Sequence, residues 1–173
     1  MNYAAEATSR YELRKLAKII RGALRLKGPR FPIIEFLEKI MVQVFPEFNW
    51  EVVPDKELPG LEGLTLPKEH LIQLPERVYM DAVAGLGRAR FSVAHEVAHY
   101  LLIDDNSVAL CRSDVKLPAY RKPEWQANTL AAELLVPTDM TAGMGANEIA
   151  WVFGVSFAAA KVHIKIKQEE GRP

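Results

Sequence analysis

Arg90-Phe91-Ser92-Val93-Ala94-His95-Glu96-Val97-Ala98-His99-Tyr100-Leu101-Leu102 is the stretch that decides how the rest of the chain is read. Its composition is that of a helix. At about 100° per residue, His95 and His99 leave the same helix face roughly 40° apart, one turn from each other. That is the spacing with which two imidazole nitrogens bind one tetrahedral zinc ion. Glu96 lies about 60° from His99 around the same helix, so it faces the site without ligating. From there it can take a proton from a water activated at the metal.

His-Glu-x-x-His on a helix is a signature of zinc peptidases, in which the glutamate is the general base. Five residues can match by accident, but two features weigh against that. The chain has four histidines, and two of them are here. Val93, Ala94, Val97, Ala98, Leu101 and Leu102 surround them, so the helix is apolar on most sides and belongs in an interior. Imidazoles buried there need partners, and a metal serves both.

At 173 residues the chain has the length of one domain. It is 49% hydrophobic and 25% charged, ordinary for a globular protein. A net charge of +0 gives no sign of a general affinity for nucleic acid or membrane. A single cysteine, Cys111, excludes an internal disulfide. The first residues lack the basic-then-apolar form of a signal peptide, and no apolar run reaches the length of a membrane span. The expectation is a soluble cytoplasmic protein.

Working outward toward the N-terminus, Ser9-Arg10-Tyr11-Glu12 has capping-box form. The helix it starts ends at Gly28-Pro29, so residues 1–30 read as a basic N-terminal helix. Arg10, Arg14, Lys15, Lys18, Arg21 and Arg25 stand against Glu12 alone. A solvated face is expected there, with an acidic partner as the alternative. A second, buried helix is expected from Phe31 to Phe45. Short strands are expected at Trp50–Val53, Leu61–Leu66 and His70–Leu74, forming a small three-stranded and antiparallel sheet. His70, at a strand end, reads as a surface residue. Glu76 to Ala84 reads as a short helix, with the central helix starting near Arg88.

Toward the C-terminus, Asp104 to Lys122 reads as a long loop suited to a cleft wall or a surface excursion. Pro123 opens the next helix and Pro137 lies just past its end. Residues 145–168 read as a helical tail, with Asn147 and Ser156 as N-caps and Gly154 between two helices. Val162, Ile164 and Ile166 alternate as a strand would, but the Ser156-Phe157-Ala158-Ala159-Ala160 start favours helix. The fold class is therefore α+β: a compact, mostly helical, zincin-like domain with a small sheet and a central His-Glu-x-x-His helix.

Two motifs together resemble the ImmA/IrrE metallopeptidases. One is the 90–102 run. The other is Glu124-Trp125-Gln126-Ala127-Asn128-Thr129-Leu130-Ala131-Ala132-Glu133-Leu134-Leu135-Val136-Pro137, against the family's Glu-x-x-Ala-Asn-x-Phe-Ala-Ala-x-x-Leu-x-Pro. Phe153-Gly154-Val155-Ser156 is similar as well. The departure is Thr129-Leu130, where the family has an aromatic before Ala-Ala. The resemblance spans roughly residues 60 to 166. It implies a gluzincin-like zinc endopeptidase, cytoplasmic, that cuts a helix-turn-helix repressor and so switches on mobile-element or stress genes. Carried over by residue, His95, His99 and Glu124 are the zinc ligands and Glu96 is the base. Asn128 takes a supporting place one turn after Glu124, or an ordinary helix-surface place.

Glu133 competes with Glu124 for the third ligand. Nine residues apart, the two point to nearly opposite faces, so only one can meet His95 and His99. Asn128 shares Glu124's side, and a carboxylate is favoured at a helix N-terminus. Glu133, near the helix end, is expected to form a salt bridge or a backbone bond. Tyr100, Tyr120 and His163 are each candidates to stabilise an oxyanion. A different class of function also has a motif. Ala150-x-x-x-Gly154-Val155-Ser156 resembles the turn of a helix-turn-helix, followed by Lys161, Lys165 and Lys167, which fits DNA binding or a regulator that holds its partner without cutting.

Overall fold

The computed structural model describes residues 8–102 and 122–172. The expectations for Cys111, Tyr120 and the loop before Lys122 lie outside the described residues. Helix α1 spans Arg10–Ala23 and opens with the capping box: Glu12 N donates to Ser9 Oγ at 3.2 Å, and Ser9 N donates to Glu12 Oε2 at 2.7 Å. Leu13 and Ala17 are its buried face, laid against the later helix Pro123–Leu135. The cationic side departs from the solvated face expected of it. Arg14 pairs with Glu133 at 2.9 Å and Glu170 at 2.7 Å, and Arg21 donates to the carbonyls of Leu134 and Pro29. Lys15, Lys18 and Arg25 are exposed as anticipated.

The helix expected across 31–45 is realised over 33–44 in three pieces. These are α2 (Ile33–Glu35), a π-helical turn (Phe36–Met41) and α3 (Val42–Val44). The wider π turn closes i to i+5 and brings Phe36 and Met41, both buried, onto one side with Leu37.

Strands β1 (Asn49–Val53), β2 (Leu64–Leu66) and β3 (Leu71–Pro75) form one sheet in the order β1-β3-β2. The sheet is mixed, which corrects the antiparallel expectation. β1 runs parallel to β3, in register from Asn49↔Leu71 to Val53↔Pro75. β2 runs antiparallel to β3, from Leu64↔Gln73 to Leu66↔Leu71. Parallel neighbours need a crossover of a dozen or more residues. Residues 54–70 provide it, and β2 lies inside that crossover on the far edge. Brief turns between strands therefore do not make every consecutive pair neighbours. His70 turns the chain from β2 into β3 with φ 49°. It is half-exposed, as expected of a surface histidine, and meets Glu47 at 3.2 Å and Tyr100 Oη at 3.2 Å.

The remaining helices are α4 (Glu76–Val83), α5 (Gly87–Leu101), α6 (Pro123–Leu135), α7 (Ala146–Phe153) and α8 (Phe157–Glu169). α5 is the central element. Ala89, Val93, Ala94, Val97 and Ala98 are all buried, and α5 packs most extensively against α6. Its start is pinned from two sides. A Cβ on Gly87 would overlap the backbone of Val155 and Ser156, so only glycine lets α5 begin against the α7–α8 turn. Three residues on, buried Arg90 donates to the carbonyls of Phe153, Gly154 and Phe31. Burial without a carboxylate lowers its pKa to about 10. The tail is helical through 162–166, so the alternation there is not a strand. Ser156 caps α8, accepting from Ala159 N at 3.1 Å. The N-cap of α7 is Gly145, which places Asn147 inside the first turn.

Candidate metal centre

α5 and α6 meet where the two motifs face each other, and three side chains converge there. His99 Nε2 lies 3.0 Å from Glu124 Oε1, and His95 Nε2 lies 3.2 Å from Glu124 Oε2. The two Nε2 atoms are 3.0 Å apart. These three residues are also the group, among the described residues, with the mutual distances to hold one metal ion. The sequence-predicted set of His95, His99 and Glu124 is therefore brought together.

The donor chemistry fits a zinc ion. His95 Nδ1 is 2.9 Å from Asn128 Oδ1. A carbonyl oxygen only accepts, so the proton sits on Nδ1 and the Nε2 lone pair points into the cluster. Two imidazole lone pairs and a carboxylate facing one another at such distances repel unless a cation or a proton lies between them. Zinc–nitrogen and zinc–oxygen bonds near 2.0–2.1 Å in tetrahedral geometry put ligand atoms about 3.3 Å apart, close to the spacing seen. Burial, together with the neighbouring His95, lowers the pKa of His99 and favours its neutral form. Glu124 is largely exposed at the N-terminus of α6, so the cluster opens to solvent on that side.

Glu96 projects toward β2 and is buried. Thr65 Oγ1, on β2, sits 2.6 Å from Glu96 Oε2 and 3.1 Å from the Glu96 carbonyl. Gly63 is the other half of this seat. A Cβ there would overlap Glu96 Cγ, so the chain before β2 passes the glutamate at a distance only glycine allows. Burial raises the Glu96 pKa, opposed by the Thr65 hydrogen bond and by His95. Sequence reading did not single out Gly63 or Thr65. The available signal was a glycine inside a strand pattern, which marks a close approach of backbone to something else.

The competing glutamate is occupied. Glu133 Oε1 takes Arg14 at 2.9 Å and Thr138 Oγ1 at 2.6 Å, and Oε2 takes the Thr138 amide at 3.0 Å. It ties the C-terminal end of α6 to α1 and to the following 3-10 turn, Thr138–Met140. The two oxyanion candidates among the described residues, Tyr100 and His163, are also engaged elsewhere. Tyr100 Oη lies on His70, its ring packed on Phe45 and Phe48. His163 is buried on α8 with Nε2 2.9 Å from Thr141 Oγ1. Of the tail lysines, Lys167 is buried and donates to Thr141, and Lys165 faces Glu169 at 3.9 Å, so they do not form one open basic face.

Comparisons with known proteins bear on the fold and the family. A solved structure described as a Mycobacterium tuberculosis transcriptional regulator superposes with a TM-score of 0.61 at 16% identity. The match covers 89% of this chain and 46% of that one, so the chain spans about half the length of that protein. At this identity the likeness establishes the mostly helical α+β fold. No curated protein matches the sequence. Among the described residues, no single helix is long and apolar enough to cross a membrane. Residues 63–165 match the model of a peptidase family described as the IrrE N-terminal-like domain, which takes in β2, both motif helices and most of α8, and the chain belongs to that family.

Proposed function

We propose that this chain is a zinc-dependent endopeptidase whose substrate is a helix-turn-helix transcriptional repressor, cut to release the genes it silences. The observation that carries the chemistry is the juxtaposition of Glu96, seated by Gly63 and Thr65, with the convergent His95, His99 and Glu124. The substrate class rests on the family resemblance.

His95, His99 and Glu124 would hold the zinc, with Asn128 fixing the His95 tautomer. When bound, zinc supplies a Lewis acid that polarises a carbonyl and acidifies water. Glu96 does the proton work. Its Oε2 is held by Thr65, which leaves Oε1 to accept a proton from the attacking water and deliver it to the leaving amide nitrogen. Burial raises its pKa and brings it nearer the range where a carboxyl both takes and gives a proton.

The test is incubation of the purified chain with a candidate repressor, with and without a chelator, read as fragments on a gel. Cutting is expected, lost with chelator and lost in Glu96→Gln at unchanged zinc content. The amide is nearly isosteric but cannot accept the proton. Intact repressor alongside tight binding would instead establish a regulator that holds without cutting. Salt-sensitive duplex binding by the chain alone, weakened by changing Lys161 and Lys165, would establish the DNA-binding reading.

A further inference from the structure

We propose that the groove between α1 and the turn after α6 is a binding site for a phosphorylated small molecule of nucleotide size. It stands apart from the metal centre and from the function proposed for it. Glu124 belongs to the metal centre and Glu133 to the groove wall. Nine residues of α6 separate them by about 13 Å along the axis and by nearly half a turn around it.

The charge of the wall is the first argument. In a chain of net charge +0, the groove gathers Arg14, Lys15, Lys18, Arg21, Arg25 and Arg172 against Glu133 and Asp139 alone. Glu170, paired with Arg14 and Arg172, supports the wall from outside and still leaves an excess of three positive charges. These cations differ in how committed they are. Arg14 is held by two carboxylates. Lys15 and Arg25 have no carboxylate within ion-pair distance among the described residues. Lys18 meets Asp139 at 3.3 Å, both well exposed, a pair that exchanges readily for another anion. Arg21 is fixed by the carbonyls of Leu134 and Pro29, both at 2.6 Å; among the described residues no carboxylate lies within ion-pair distance, and Asp139 acts on it only at longer range. Its guanidinium is thus oriented before any ligand arrives, and burial lowers its pKa, a cost that an incoming anion relieves.

Shape and lining give the ligand class. The groove is open on one side and holds about 620 Å³, within the range of small-molecule sites. Tyr11 and Met140 line it with much of their apolar surface exposed. Cations that fork onto phosphate oxygens beside an aromatic ring and a thioether suit a phosphorylated molecule with a flat organic body. A concave site bounded by α1, the end of α6 with its following turn, and Arg172 does not follow the length of a duplex.

Calorimetric titration of the zinc-loaded chain with ATP, tripolyphosphate and adenosine tests this. Saturable binding of ATP is expected in the micromolar to submillimolar range, weaker binding of tripolyphosphate, and none of adenosine. Lys15→Gln with Arg25→Gln keeps both exposed stems, removes two uncommitted charges, and is expected to weaken ATP by about tenfold or more at an unchanged melting temperature. Absence of saturable binding overturns the proposal. So does ATP binding that the double variant retains, since the ligand then sits elsewhere, on the zinc included. Duplex DNA that displaces ATP and loses affinity in the same variant also overturns it, in favour of a nucleic-acid surface.

Discussion

A single proton on His95 organises the cluster. Asn128 Oδ1 holds it on Nδ1, which commits Nε2 to the site shared with His99 and Glu124. Asn128→Ala frees the ring to choose either tautomer and is expected to cost about 10-fold or more in zinc affinity, measured by competition with a chromophoric chelator. The two glutamates of α6 separate cleanly by substitution. Glu124→Ala is expected to lower zinc affinity sharply with little change in melting temperature, because the side chain is largely exposed. Glu133→Ala is expected to leave affinity near wild type. It should cost about 2–3 kcal/mol of stability in denaturant titration, because the buried amide and hydroxyl of Thr138 lose their acceptor and half-buried Arg14 keeps only Glu170. The reverse pattern would mean that the wrong face of α6 has been assigned to the metal.

At the scale of elements, β2 matters more than its three residues suggest. It is an edge strand, and it places Thr65 on the Glu96 carboxylate while the chain just before it passes with no side chain at Gly63. Gly63→Ala is expected to push Glu96 off its seat. Hydrolysis should fall by at least about 10-fold while zinc content stays at the wild-type level, because the ligands lie on α5 and α6. The start of α5 has a similar device. Gly87→Ala pushes a methyl into the backbone of Val155 and Ser156, so the loss there should appear as unfolding, at about 2 kcal/mol or more.

Across the whole molecule, a largely buried polar network joins α1, the C-terminal end of α6 and α8. His163 lies 2.9 Å from Thr141 Oγ1, with Lys167 on the same threonine and with Arg14, Glu133 and Glu170 acting on it electrostatically. Burial is the main cause lowering its pKa from 6.5. As pH falls below 6.5, the unfolded chain takes a proton that the folded chain refuses, so folding loses stability until the folded-state pKa is passed. Thermal melts from pH 7.5 to about 5 should show this slope, and His163→Gln, which cannot titrate, should show a shallower one. An equal slope in both would place the acid sensitivity elsewhere, the zinc ligands foremost.

What the sequence determined by itself is local or periodic. His-Glu-x-x-His at helical spacing places both imidazoles on one face whatever surrounds them. Ser9 and Glu12 cap α1 through bonds within four residues, and Pro123 starts α6 through its own fixed φ. The opposition of Glu124 and Glu133 also follows from helix geometry alone. Only the tertiary structure decided what depends on distant backbone. Sheet order was one such matter, since a crossover that carries its own strand leaves no mark in hydrophobic alternation. The seat of Glu96 was another, because Thr65 is 31 residues away and its hydroxyl looks like any other in a strand. The basic side of α1 was a third. Six like charges read as a solvated face until α6, the turn after it and the C-terminal end are folded against them. Then Arg14 and Arg21 become struts, and Lys15 and Arg25 remain to line a groove.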